Sequence, residues 1–158
     1  SHIHAAAYRY YRGTAVEAST IKGADVELVA ATGIDKQART IAALVTRLVA
    51  VENVKPHEIG ILLCDAMVRE DCERALTANS IPAAAKWGRL EAFSSGSVTV
   101  DTVARFKGLE RSIIILWGLD ACTPAKDRET LYVGMSRAKS LLFLCGNKAA
   151  CERALGIQ

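Results

Sequence analysis

Two segments of this 158-residue chain concentrate the residue types that bind phosphate oxygens. The first is VTVDTVARFKGLE, from Val98 to Glu110. A strand-like alternation ends at Thr102, then Arg105, Lys107, Gly108 and Glu110 follow in quick succession. A hydroxyl, an ammonium and the backbone N–H groups around a glycine all donate to phosphate, and a carboxylate such as Glu110 accepts from a sugar hydroxyl. The second segment is ETLYVGMSRAKSLL, from Glu129 to Leu142. Its helical pattern closes on Ser136-Arg137-Ala138-Lys139. The small neighbours of Arg137 leave room for a bulky ligand at its guanidinium, a rigid fork suited to a transferring phosphoryl group. Each segment also has a plain structural account. The first serves as a solvated turn with a conformational glycine, and the basic residues of the second suit the negative end of a helix dipole.

The elements expected to hold these segments alternate along the chain. Val26–Ala30 reads as a strand, and Ala38, Ile41, Ala42, Val45, Leu48 and Val49 recur at helical spacing, with Asp35 as N-cap. Ile59–Leu63, Ser112–Trp117 and Leu141–Cys145 are continuous apolar runs, the signature of strands buried on both faces of a parallel sheet. Val98–Thr102 alternates, and a short edge segment runs from Ile81 to Trp87. Helices are expected over Val68–Asn79 and Asp127–Ala138, and a last short one is capped by Asn147. Strands alternating with helices specify a doubly wound α/β domain, mainly parallel, with helices on both faces of the sheet. In such a sheet, ligands are expected beyond the carboxyl ends of the strands. Residues 1–24 read as an irregular segment or linker and 25–158 as one domain. The Tyr8–Gly13 cluster suits an interface better than base stacking.

Composition narrows the class. Hydrophobic residues make up 51% and charged residues 23%, ordinary for a globular domain. The net charge of +3 is modest, but from Lys86 to Lys148 ten Lys/Arg face six Asp/Glu, so the basic bias lies with the two phosphate-type segments. Five cysteines without a CxxC pair read as reduced thiols, all but Cys122 among core residues, and a metal site is not expected. No apolar run is long enough to span a bilayer, which together with the cysteines points to a cytoplasmic protein without membrane contact.

The order and spacing of the two segments resemble motifs V and VI of superfamily 1 DNA helicases of the UvrD/Rep type. EIGILLCDAMVREDCERALTANSIP resembles the strand–helix unit before motif V in that family, so the likeness covers roughly residues 25–146. It implies a RecA-like fold, that of the C-terminal motor domain, and a place in ATP-driven strand translocation, with DNA repair as a family-level association. Arg137 then matches the arginine finger that reaches the ATP γ-phosphate. Glu110 matches the ribose contact, Gly108 shapes the nucleotide-side turn with Lys107, and Thr102, Arg105 and Lys107 fall where the family touches the single-stranded DNA backbone. Tyr132 matches the motif VI aromatic, expected to pack. Ala104, Cys64 and Arg111 depart from the family's usual His, Arg and aromatic residue, and the short interval from Trp87 to Val98 leaves no room for a 2B insertion.

No GxxxxGK[ST] P-loop occurs, and Ala31–Lys36 lacks the second Gly and the Lys-Ser/Thr pair. ATP and Mg2+ are therefore expected to be shared with an N-terminal RecA-like P-loop domain of the same full-length protein, and this chain to be inactive alone. A helicase-like remnant that binds nucleic acid or protein without catalysis is the alternative.

Overall fold

The computed structural model describes residues 19–21 and 24–157. The Tyr8–Gly13 cluster lies outside the described residues. Among the described residues seven strands form one sheet: β1 (Ser19–Ile21), β2 (Ala24–Ala30), β3 (Ile59–Leu63), β4 (Lys86–Gly88), β5 (Ser97–Thr102), β6 (Arg111–Trp117) and β7 (Ala138–Gly146). Their order is β1-β2-β7-β6-β3-β5-β4. The pairings from β2 through β4 are all parallel. Only β1 runs antiparallel, along the outer edge of β2. Thus Ser19–Ile21, inside the segment read from sequence as irregular, adds a short edge strand.

The apolar runs become the centre of the sheet because only an interior strand can bury both faces. All five residues of β3 and all six of β5 are buried. Helices α1 (Ile34–Ala50) and α2 (Arg69–Thr77) cover one face, packing Leu48, Cys72 and Leu76 against Ile61, Trp117 and Phe143. Helices α3 (Pro124–Met135) and α4 (Lys148–Leu155) cover the other, where Leu131, Met135 and Cys151 meet Leu62, Phe106, Leu116 and Leu142. The doubly wound α/β architecture expected from the pattern is the one observed. No helix among the described residues is long and apolar enough to cross a membrane.

Several boundaries differ for local reasons. Gly33, not Asp35, is the N-cap of α1, which places Asp35 in the first turn. Thr123 caps α3 by accepting from the Lys126 N–H, so that helix starts earlier than expected, with Pro124 at its first position. It also stops at Met135, leaving Arg137 just past the helix end. The cysteine assignment reverses for two residues: Cys122 is buried and Cys64 only partly so, because Cys122 tucks under α3 while Cys64 lies at the open end of β3.

Gly134 sets the distance between α3 and the sheet. A Cβ there would lie 2.7 Å from Leu116 Cδ1 and 3.0 Å from Val103 Cγ2. Gly134→Ala is expected to destabilise the domain by about 1–3 kcal/mol through overpacking. A urea titration that leaves the midpoint of this variant unchanged would contradict that packing account.

Candidate functional site

The two phosphate-type segments meet at one rim of the sheet. The β5–β6 connection starts at the carboxyl end of β5, crosses over β3 as a short 3-10 turn (Ala104–Phe106), and delivers Lys107–Glu110 to the amino end of β6. Phe106, fully buried, anchors that crossing on the α3 face. Gly108 has φ +80°, a left-handed conformation that reverses the chain into β6 at little cost for glycine. Arg137 stands at the amino end of β7. Its carbonyl accepts from Arg111 N at 3.1 Å, which ties the two amino ends together.

The Arg137 guanidinium leans on this bend. Nε donates to the Val133 carbonyl at 3.2 Å, Nη2 to Ser136 Oγ at 3.1 Å, and Nη1 lies 3.5 Å from the Leu109 carbonyl. The side chain is half-buried, and no carboxylate among the described residues pairs with it. A guanidinium held by backbone carbonyls keeps its charge uncompensated, which is how a cation is poised for an incoming anion. Glu110 is exposed beside it. It borders a hollow of about 320 Å³ together with His57, Phe93, Arg111 and Lys139. Arg111 packs its guanidinium 4.9 Å from the Phe106 ring centroid and 5.3 Å from that of Phe93, and burial lowers its pKa.

This rim is not the one expected from the carboxyl-end rule. Glu110 and Arg137 lie at the amino ends of β6 and β7, and only Thr102 and Arg105 lie toward a carboxyl end. The reason is visible at the opposite rim, where the chain's own side chains fill the space. Gln37, buried on α1, donates to the Ala31 carbonyl and to Asp120 Oδ2, both at 2.9 Å, and accepts from Trp117 Nε1 at 2.9 Å. Asp120 Oδ1 in turn accepts from Asn147 N at 2.6 Å. The turn after β2, where a phosphate cradle would sit, is closed by this network.

Two residues assigned to nucleic acid from sequence are otherwise engaged. Thr102 is 6% exposed, and its hydroxyl accepts from Arg105 N at 3.3 Å, so it caps the 3-10 turn. Arg105 donates from Nε to Asp101 at 2.9 Å and from Nη2 to Glu91 at 2.8 Å. The cause is Asp101, fully buried on β5, which also accepts from Leu90 N at 3.0 Å and Thr102 N at 2.8 Å. Arg69 approaches the same carboxylate at 3.3 Å and bridges to Glu73, which Arg89 grips with two bonds of 3.0 and 2.7 Å. Three arginines and three acids thus form one chain of charge along β5. Sequence inspection missed it because its members come from three separate stretches, 69–73, 89–91 and 101–105; the local signals are an Asp inside an otherwise apolar and hydroxyl strand and the i,i+4 spacing of Arg69 to Glu73 and Asp101 to Arg105. Lys107 is exposed and has no carboxylate partner among the described residues. Tyr132, expected to pack, is 47% exposed.

This charge chain has a pH consequence. Arg89 holds the Glu73 carboxyl below its ordinary value of 4.5. A carboxyl depressed on folding stabilises the domain above its unfolded pKa, and the benefit is lost as pH falls through the folded value. Thermal midpoints should therefore decline below about pH 4.5, and Glu73→Gln should flatten part of that decline. An identical acid profile for the variant would remove Glu73 from the account.

Together these features define a doubly wound α/β domain that presents a cation and a Lys-Gly turn at one rim, with no phosphate cradle at the other among the described residues. Residues 97–145, from β5 to the end of β7, match the family described as UvrD-like helicase C-terminal domain. The C-terminal domain of a possible DNA helicase from Lactobacillus plantarum WCFS1 superposes with a TM-score of 0.58 at 17% identity, over 84% of this chain and 80% of that one. At that identity the likeness establishes the fold. Comparison with curated protein sequences yields no match. The family match spans the two segments whose order and spacing resemble motifs V and VI, and the superposition establishes the RecA-like fold around them.

Proposed function

We propose that this chain is the half of an ATP-dependent DNA helicase motor that answers to nucleotide without holding it. The observation that carries this reading is the Arg137 guanidinium, unpaired by any described carboxylate and seated against the Lys107–Glu110 bend. A P-loop-bearing domain of the same protein, facing this rim, holds ATP and Mg2+. Arg137 then reaches the γ-phosphate and favours the closed cleft, while Glu110 receives the ribose and Gly108 lets the backbone approach. When the γ-phosphate leaves, the differential contact that favours closure is gone and the cleft reopens.

The β5–β6 crossover joins the two ligands. Its Lys107 contacts the phosphates of a single strand, while Thr102 and Arg105 hold the shape of the turn from within. Repeated closure against that strand converts hydrolysis into movement, with affinity that is salt-dependent and tolerant of sequence. The test is ATP turnover in the protein that joins this chain to its P-loop domain. Turnover is expected there, absent from this chain alone, and dependent on Arg137. Turnover indifferent to Arg137 would reject the reading.

A further inference from the structure

The β5–β6 crossover and α3 leave between them a groove of about 310 Å³. Val103, Ala104 and Lys107 form one wall, and Lys126, Thr130 and Val133 form the other, with Glu129 also bordering it. Two lysines therefore line one groove from facing elements. Neither Lys107 nor Lys126 pairs with a carboxylate among the described residues, whereas Arg105 on the same crossover is taken up by Asp101 and Glu91. Lys126 also sits in the first turn of α3, where the helix dipole is positive and a cation is unfavourable. Positive potential from two side chains and a helix end thus converges on the groove, offset by the exposed Glu129 on its border and by Asp127 in the same first turn, whose carboxylate accepts from Thr123 N at 3.0 Å. Ala104 contributes a single methyl group, which keeps the groove open between the two cations.

We infer that this groove grips one backbone phosphate of a single-stranded nucleic acid between Lys107 and Lys126, with the Thr130 hydroxyl available as a further donor. The inference rests on the helicase reading above and adds α3 to it as the second wall of the strand path. The same helix carries Arg137 just past its other end, eleven residues on from Lys126, or roughly 16 Å at 1.5 Å per residue. One element then bears a phosphate grip at its start and the nucleotide-facing cation at its finish. Asp127, at φ −113° and ψ 16°, interrupts the helix between them, so the grip sits on a first turn set off from the rest by a kink.

The experiment is fluorescence anisotropy of a labelled oligo(dT) with this chain over a series of NaCl concentrations. For single strands the slope of log K against log salt falls by about 0.7 for each phosphate contact removed. The Lys107→Ala/Lys126→Ala double variant should lose about 0.7 from the slope, and each single variant part of that with several-fold in affinity. Lys126→Arg should retain the slope, and Glu129→Gln should tighten binding. Arg128→Ala, on the same helix but outside the groove, should leave the slope as it is. If Lys126→Ala matches the wild type while Lys107→Ala is weakened, the second wall is refuted and the helicase reading stands. If the wild-type chain shows no salt-dependent binding of oligo(dT), both fall. Displacement of the oligonucleotide by ATP would assign the two lysines to a nucleotide triphosphate and overturn the inference.

Discussion

Arg137→Ala is expected to lower ATP turnover by about three orders of magnitude or more in the protein that joins this chain to its P-loop domain. A finger arginine stabilises charge on the transferring phosphoryl group, so its loss acts on the turnover rate rather than on nucleotide affinity. The structure lets this be separated from misfolding. Among the described residues the guanidinium bonds to the Val133 and Leu109 carbonyls and the Ser136 hydroxyl and to no carboxylate, so the isolated variant should melt close to the wild type. Arg137→Lys should rescue little, because an ammonium cannot reproduce the planar fork. Steady-state turnover beside a melting curve decides the matter. A variant that folds and still hydrolyses ATP at the wild-type rate would refute the finger.

Asp101→Ala carries the largest expected effect on stability. The carboxylate is fully buried and serves Arg105, Arg69, and the N–H groups of Leu90 and Thr102 at once. Removing the buried member of an ion pair costs about 3–5 kcal/mol when its partners stay desolvated; Arg69, at 17% side-chain exposure, meets that condition, whereas Arg105, at 47%, regains water. For a domain of this size that cost corresponds to a fall in melting temperature on the order of 10 °C. The same change should loosen the 3-10 turn, because Arg105 and Thr102 are both oriented by Asp101. Asp101→Asn, which keeps an acceptor but not the charge, should fall between. A loss of only a degree or two in Asp101→Ala would show that Arg69 and Arg105 repartner with Glu73 and Glu91, and that the buried carboxylate is dispensable.

Much of the architecture was legible because burial leaves a periodic trace. The runs at Ile59–Leu63, Ser112–Trp117 and Leu141–Cys145 announced interior strands, and the helical spacing through Ile41, Val45 and Leu48 announced the buried stripe of α1. Asn147 caps α4 as expected, its side chain accepting from Ala150 N. Boundaries drifted where caps decide them: Thr123 for α3 and Gly33 for α1 are choices among neighbouring small polar residues that local composition does not separate.

The linear order of residues by itself determined the alternation of strands and helices, the pairing of a Lys-Gly turn with an Arg near the end of a helix, and the lack of a P-loop motif in these 158 residues. Those are properties of near neighbours, and periodicity or spacing records them. Only the tertiary structure decided which cations are available for a ligand. Asp101 and Glu91 take Arg105, backbone carbonyls leave the charge of Arg137 unpaired, and Lys126 joins Lys107 across a groove from a helix that no local signal linked to it. The rim was decided the same way, by Gln37 and Asp120 closing the opposite end. The physical reason is that a charge is neutralised by whatever lies within a few ångströms of it in space, and the fold brings those groups together from distant parts of the chain.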